Sequence, residues 1–152
     1  MKLRDYLDHQ GASYKVLHHD PVFSSQDLAA AEHVPGMQVI KPVVVRADGQ
    51  YVMCVLPASR RIDLTELRNE LHAEDVRLAE EQTLQRLFPE CELGAEPPIG
   101  CLFGLPTIMD DSLQQDATVT FQAGTHQEAV TMPLGEFCRV AHPDIAHFAR
   151  PN

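Results

Sequence analysis

The chain has 152 residues, enough for one domain with a single core, and 1–152 reads as one unit. Hydrophobic residues make up 44% and charged residues 22%, an ordinary globular balance that excludes wholesale disorder. With 22 Asp+Glu against 12 Lys+Arg the net charge is -10, which excludes a broadly cationic surface for gripping DNA or an acidic membrane and leaves room for a local basic rim alone.

In chain order, Lys2–Gln10 places Leu3, Tyr6 and Leu7 on one helical stripe, and Gly11 supplies a stop. Ser13–His18 reads as a short strand. Ser24 or Ser25 can cap a second helix, with Asp27 in its first turn and Pro35-Gly36 ending it. Met37–Arg46 and Gln50–Pro57 are rich in Val, Ile and Leu and are joined by Ala47-Asp48-Gly49, a hairpin connection. Asp63 or Thr65 starts a helix through about Leu71, Val76–Leu78 is a short strand, and Glu80–Phe88 is an amphipathic helix closed by Pro89. Glu90–Gly100 is a loop. Cys101–Met109, Ala117–Gln122 and Glu128–Met132 read as strands, and Pro133 opens a last helix over Leu134–Ala141. Hairpin strands mixed with helices predict an α/β (α+β) fold: a mixed, curved, barrel-like sheet surrounded by helices.

Lys41 is the residue that fits its surroundings least. It interrupts Val39-Ile40-Lys41-Pro42-Val43-Val44-Val45, and its same-face neighbours Val39, Val43 and Val45 are all apolar. An unpaired ammonium in such a strand costs several kcal/mol, so it needs a partner or a cavity. Pro42 removes a ladder donor and points to an edge or a bulge. Gly94-Ala95-Glu96-Pro97-Pro98-Ile99-Gly100 is a stiffened loop able to present main-chain groups to a ligand, or simply a rigid surface loop. Gly124-Thr125-His126 places a histidine at a strand-end turn, where it can exchange a proton near neutral pH or carry no role at all.

Other chemistries lack support. No serine lies in G-x-S-x-G, no phosphate-binding glycine motif is present, and no carboxylate pair stands out from solvated helix faces. The four cysteines are scattered without C-x-x-C and the eight histidines show no H-x-x-x-H or H-E-x-x-H spacing, so reduced thiols, no metal and no cofactor are expected. No apolar run approaches the ~20 residues of a membrane helix. Lys2, Arg4, Asp5 and Asp8 argue against a secretory leader, so a cytoplasmic protein without a membrane partner is expected.

An ordered set of segments resembles the YbaK-type aminoacyl-tRNA deacylases, a domain that also serves as the editing insertion of bacterial prolyl-tRNA synthetases. The set comprises Phe23-Ser24-Ser25, Lys41 in its valine strand, Val55-Leu56-Pro57-Ala58-Ser59-Arg60-Arg61-Ile62-Asp63 and Leu87-Phe88-Pro89. It continues with Gly94 to Gly100, Asp110-Asp111-Ser112-Leu113 and Gly124-Thr125-His126. The resemblance spans about residues 15 to 149. It implies trans-editing hydrolysis of the ester on a mischarged tRNA 3′ end, with tRNA-Pro suggested by family association and a synthetase as a candidate delivery partner. It implies Lys41 and His126 as catalytic residues and Gly94, Pro97, Pro98, Gly100, Ser24 and Thr125 around the aminoacyl group. Arg46, Arg60 and Arg61 are the candidate tRNA contacts, set against the acidic net charge. An aminoacyl ester is labile, so water positioning and oxyanion stabilisation suffice without metal or covalent nucleophile. The alternatives are a non-catalytic binding module for the aminoacyl 3′ end and hydrolysis of a different small ester or amide.

Overall fold

The computed structural model describes residues 3–20, 38–115 and 117–152. Its centre is the hairpin of β2 (Ile40–Ala47) and β3 (Gln50–Pro57), paired antiparallel along their whole length. Asp48 and Gly49 both take positive φ, +47° and +87°, the twist that a two-residue hairpin turn requires. The Asp48 carboxylate then accepts the Glu74 and Asp75 backbone N–H groups, fixing the start of β5 (Val76–Leu78) on the outer edge of β2. β6 (Thr107–Asp110) runs parallel to β3 on the other side, and β9 (Asp144–Ala146) parallel to β6, giving the order β5-β2-β3-β6-β9.

β3 is buried on both faces, and its alternation divides two cores. Met53 and Val55 join Ile40, Val44, Met109, Phe121 and Phe137 on one side, while Val52, Cys54 and Leu56 join Val45, Ile108, Leu67 and Phe148 on the other. The first core is roofed by a second sheet, β1 (Lys15–His18), β8 (Glu128–Pro133) and β7 (Thr118–Gln122), together with α1 (Leu3–His9) and α4 (Leu134–Ala141). The second is covered by α2 (Leu64–Leu71), whose N-cap Asp63 accepts the Thr65 and Glu66 N–H groups. α3 (Glu81–Leu87) lies along the first core, and β4 (Arg60–Ile62) pairs with β10 (Ala149–Pro151) as a separate ribbon.

The α/β class, the mixed sheet and the enclosing helices are as the sequence predicts; the barrel-like closure is corrected to open sheets. The two larger sheets meet through one isolated parallel bridge, Val39 to Thr120, and the five-stranded sheet ends in three-residue edge strands that do not meet. The expected strand over Cys101–Met109 is also corrected. Gly100–Phe103 is a turn of 3₁₀ helix capped by Gly104 at φ +71°, and the strand begins at Thr107. A Cβ on Gly100 would lie 2.1 Å from Thr107 Oγ1 and 2.6 Å from the Leu105 carbonyl, so only glycine lets this chain fold back on itself. The predicted helix after Ser24 lies outside the described residues.

Candidate active site

β5 pairs with β2 only over Val45–Ala47, so the stretch from Ile40 to Val44, including Pro42 with no N–H to offer, has no strand on its outer edge among the described residues. Lys41 sits in this open stretch opposite Leu56, half-buried. Its Nζ donates to the Ala58 carbonyl at 3.3 Å, and burial pulls its pKa below the ordinary lysine value of 10.5. Across the gap stand Gly94, Glu96, Gln122, Leu84 and Phe88, enclosing with Lys41 a cavity of about 360 Å³.

The Gly94 turn is clasped to the β7–β8 connection. Gly124 donates to the Ala95 carbonyl, its own carbonyl accepts from Glu92, and the His126 N–H donates to Glu92 Oε1 at 2.8 Å. His126 Nε2 donates to the Leu93 carbonyl at 2.7 Å, and a Cβ on Gly94 would rest 3.5 Å from its ring. The Glu96 carboxylate folds back to accept the Gly94 N–H, and Gln122 Nε2 reaches the Gly94 carbonyl at 3.4 Å. Gly94 takes φ +85°, a conformation that a side chain would strain.

Of the residues singled out in the sequence, Lys41 and Gly94 share this cavity. Pro97 and Thr125 line a second one, of about 580 Å³, on the α1 side of the loop. Pro98 and Gly100 are buried and line neither, and His126 lies behind the loop with its Nε2 committed to Leu93. Ser24 lies outside the described residues. Arg60 and Arg61 stand on β4, a few residues past the Ala58 that holds Lys41, with Arg150 directly across from Arg61 on β10. Arg46 is five residues along β2 from Lys41, ~17 Å at strand rise, beside Arg77 of β5. Glu96, Gln122 and Arg150 carried no assignment in the sequence. Glu96 stood in a noticed loop without a role, and the other two had no motif around them.

The cluster Asp110, Asp111 and His147 has oxygen and nitrogen atoms close enough for a metal, but Asp110 is already spent. It accepts the Phe148 and Ala149 N–H groups at 2.9 and 2.8 Å and both the N–H and hydroxyl of Ser112. All four cysteines are free thiols, and burial pushes Cys54 up to about 12 and Cys91 to about 11.

The sequence model of the aminoacyl-tRNA editing domain matches residues 19–139. This chain belongs to the aminoacyl-tRNA editing domain family. An Escherichia coli K12 protein described as the multifunctional Ser/Thr-tRNA deacylase ProXp-y is 25% identical to this editing domain over 149 residues, covering 95% of the chain and 89% of the relative. The crystal structure of a candidate trans-editing enzyme for prolyl-tRNA synthetase superposes with a TM-score of 0.86 at 19% identity, covering 97% of this chain and 94% of that one. A hypothetical protein of known crystal structure superposes at 0.89 with 18% identity, covering 99% and 100%. These two share the editing-domain fold, with its open mixed sheet.

The clasp around Gly94 yields a test of what His126 does. Glutamine can present an N–H where His126 Nε2 stands, whereas leucine cannot. A positioning role predicts that His126→Gln keeps most deacylation activity while His126→Leu loses roughly 10-fold or more, as misplacement of a site by ~1 Å does. A proton-transfer role predicts equal loss in both, read from kcat/KM on one mischarged tRNA.

Proposed function

We propose that this editing domain hydrolyses the ester between an amino acid and the 3′-terminal ribose of a mischarged tRNA, acting in trans. The observation that carries the reading is that Lys41 and the Gly94–Glu96 turn line the same cavity. At about 360 Å³ it lies at the lower end of the ~300–1,000 Å³ of small-ligand sites. That gives room for an aminoacyl group at a terminal ribose. Small wrong amino acids need such a second pocket because one methylene is worth only ~1–3 kcal/mol in binding.

The Lys41 ammonium is a charge-assisted donor with one proton given to Ala58 and two left for substrate. A water oxygen adds to the ester carbonyl carbon, and the carbonyl oxygen, now negative, takes a hydrogen bond from Lys41. The carbon–oxygen bond to the ribose then breaks, and the ribose oxygen takes a proton from the attacking water. Free tRNA and free amino acid are the products. Neither serine nor cysteine is among the described residues lining the cavity, so water is the nucleophile that fits. Seryl- and threonyl-tRNA are the first substrates to test, given the name of the E. coli relative. Release of amino acid from at least one mischarged tRNA above its spontaneous rate supports the reading. Binding without release would indicate a non-catalytic module.

Arg60 and Arg61, two and three residues past the Ala58 that holds Lys41, and Arg150, the partner of Arg61 on β10, are assigned the phosphates of the acceptor end. Replacing Arg60 or Arg61 by alanine is expected to raise KM several-fold and to flatten the log-log salt dependence of binding by about 1 per lost phosphate contact. Arg46→Ala, at the far end of β2, should leave both nearly unchanged in a filter-binding titration.

A further inference from the structure

The described lining carries four polar side chains, of which Glu81 stands exposed at the rim and Lys41, Glu96 and Gln122 lie deeper. Lys41 supplies a cation from β2. At the Gly94 turn stand a carboxylate and an amide: Glu96, 8% exposed, and Gln122, 4% exposed. Both are tied to Gly94, Glu96 through the Gly94 N–H and Gln122 through the Gly94 carbonyl. That second tie orients the amide with Nε2 toward Gly94 and leaves Oε1 buried with no hydrogen-bond partner among the described residues. The described residues form no ion pair between Lys41 and Glu96.

A buried carboxylate and a buried, unpartnered acceptor are each costly unless a donor arrives, on the order of 1–3 kcal/mol for the amide oxygen alone. A ligand that satisfies both must bring a cation with several protons. The amide bond to Gly94 is long, and χ3 of a glutamine is a soft torsion, so Oε1 can turn toward such a donor at little cost. The apolar lining, Ile40, Val43, Val44 and Phe88 among it, offers a cation nothing, and the remaining carboxylate, Glu81, is exposed to solvent at the rim.

We infer that Glu96 and Gln122 bind the α-ammonium of the aminoacyl group, making a free amino group the feature by which the site selects its esters. The inference rests on the ester hydrolysis proposed above. An aminoacyl ester carries its ammonium one bond from the ester carbonyl carbon's neighbour, so one molecule can meet the carboxylate with its amine and Lys41 with its carbonyl. Esters whose nitrogen is acylated, such as peptidyl-tRNA, lose the charge that Glu96 would meet, and they are spared.

The test uses three esters on the same tRNA: seryl, N-acetylseryl, and the α-hydroxyacyl ester made by deaminating the seryl ester, which keeps its size and loses its charge. Each enzymatic rate is divided by the ester's own spontaneous rate, because the ammonium also activates the ester in water. The parent is expected to favour the seryl ester over the α-hydroxyacyl ester at least 100-fold. Glu96→Gln should narrow that ratio at least 10-fold while leaving the α-hydroxyacyl rate within a few-fold of the parent, and Gln122→Leu should narrow it in the same direction by less. Both rates come from one preparation, so partial unfolding cancels in the ratio. The inference is overturned by a parent that cleaves the uncharged ester equally well, by a ratio unchanged in Glu96→Gln, or by both rates falling together. A parent inert toward every ester overturns the proposed hydrolysis along with it, whereas activity with an unmoved ratio overturns the ammonium site alone.

Discussion

Replacing Lys41 by alanine is expected to lower kcat for deacylation by roughly 100- to 1,000-fold, the usual loss when one oxyanion donor leaves a site. Lys41→Met should do the same while raising Tm by a few degrees at neutral pH. The sole cause lowering the Lys41 pKa is burial, so the folded protein holds this proton less tightly than the unfolded chain does. Between the lowered value and the ordinary 10.5 the unfolded state binds more protons, and stability therefore rises with pH across that window and is depressed below it. Methionine keeps the stem and removes the charge, an exchange of stability for function of the kind that strained sites permit. Catalysis should show the opposite trend, with acceleration over the spontaneous rate fading as pH climbs through the lowered Lys41 value. A methionine variant that is inactive and less stable would argue that Lys41 is a structural residue bound to Ala58.

Asp110→Ala is expected to destabilise the protein by about 2–5 kcal/mol, since it strands the buried N–H groups of Phe148 and Ala149, each costing about 1–3 kcal/mol. For a chain of this length that corresponds to a fall in Tm of roughly 5–15 °C. Burial alone would raise the Asp110 pKa, but the Ser112 hydroxyl and the Phe148 and Ala149 N–H groups outweigh it and hold the carboxyl below its ordinary 3.8. A lowered carboxylate contributes stability that is fully present above the unfolded value and lost as pH falls through the folded one. The gap between parent and Asp110→Asn should therefore be widest above about pH 4 and close in stronger acid, measured by denaturant unfolding at several pH values. The same residue anchors the segment carrying Arg150, so urea-induced loss of β10 pairing should precede global unfolding in the variant.

Lys41 was legible because a lone cation among valines has few places to go, and the hairpin because Asp-Gly between two β-branched runs leaves little choice of turn. The three-residue strands β4, β9 and β10 were not legible: nothing in Arg60–Ile62 or Ala149–Pro151 favours a strand until each finds the other as partner. Cys101–Met109 misled because its apolar content outweighed Gly104 and Pro106, whose turn signals decide the backbone there. The Gly94 loop and His126 were visible as separate motifs, but their clasp depends on backbone bonds between segments some thirty residues apart. Gln122 looked like any polar strand end, and its significance lies in an atom left without a partner, which no periodicity reveals.

The cavity's walls are not held equally. Gly94 is locked by backbone geometry and by hydrogen bonds to Glu96 and Gln122, while α3, which contributes Leu84 and the rim residue Glu81, has no fully buried residue of its own. Substitutions on that helix can therefore enlarge or shrink the chamber with little penalty to folding, leaving the loop and Lys41 undisturbed. Divergence among descendants of this scaffold toward different side-chain sizes would be concentrated there.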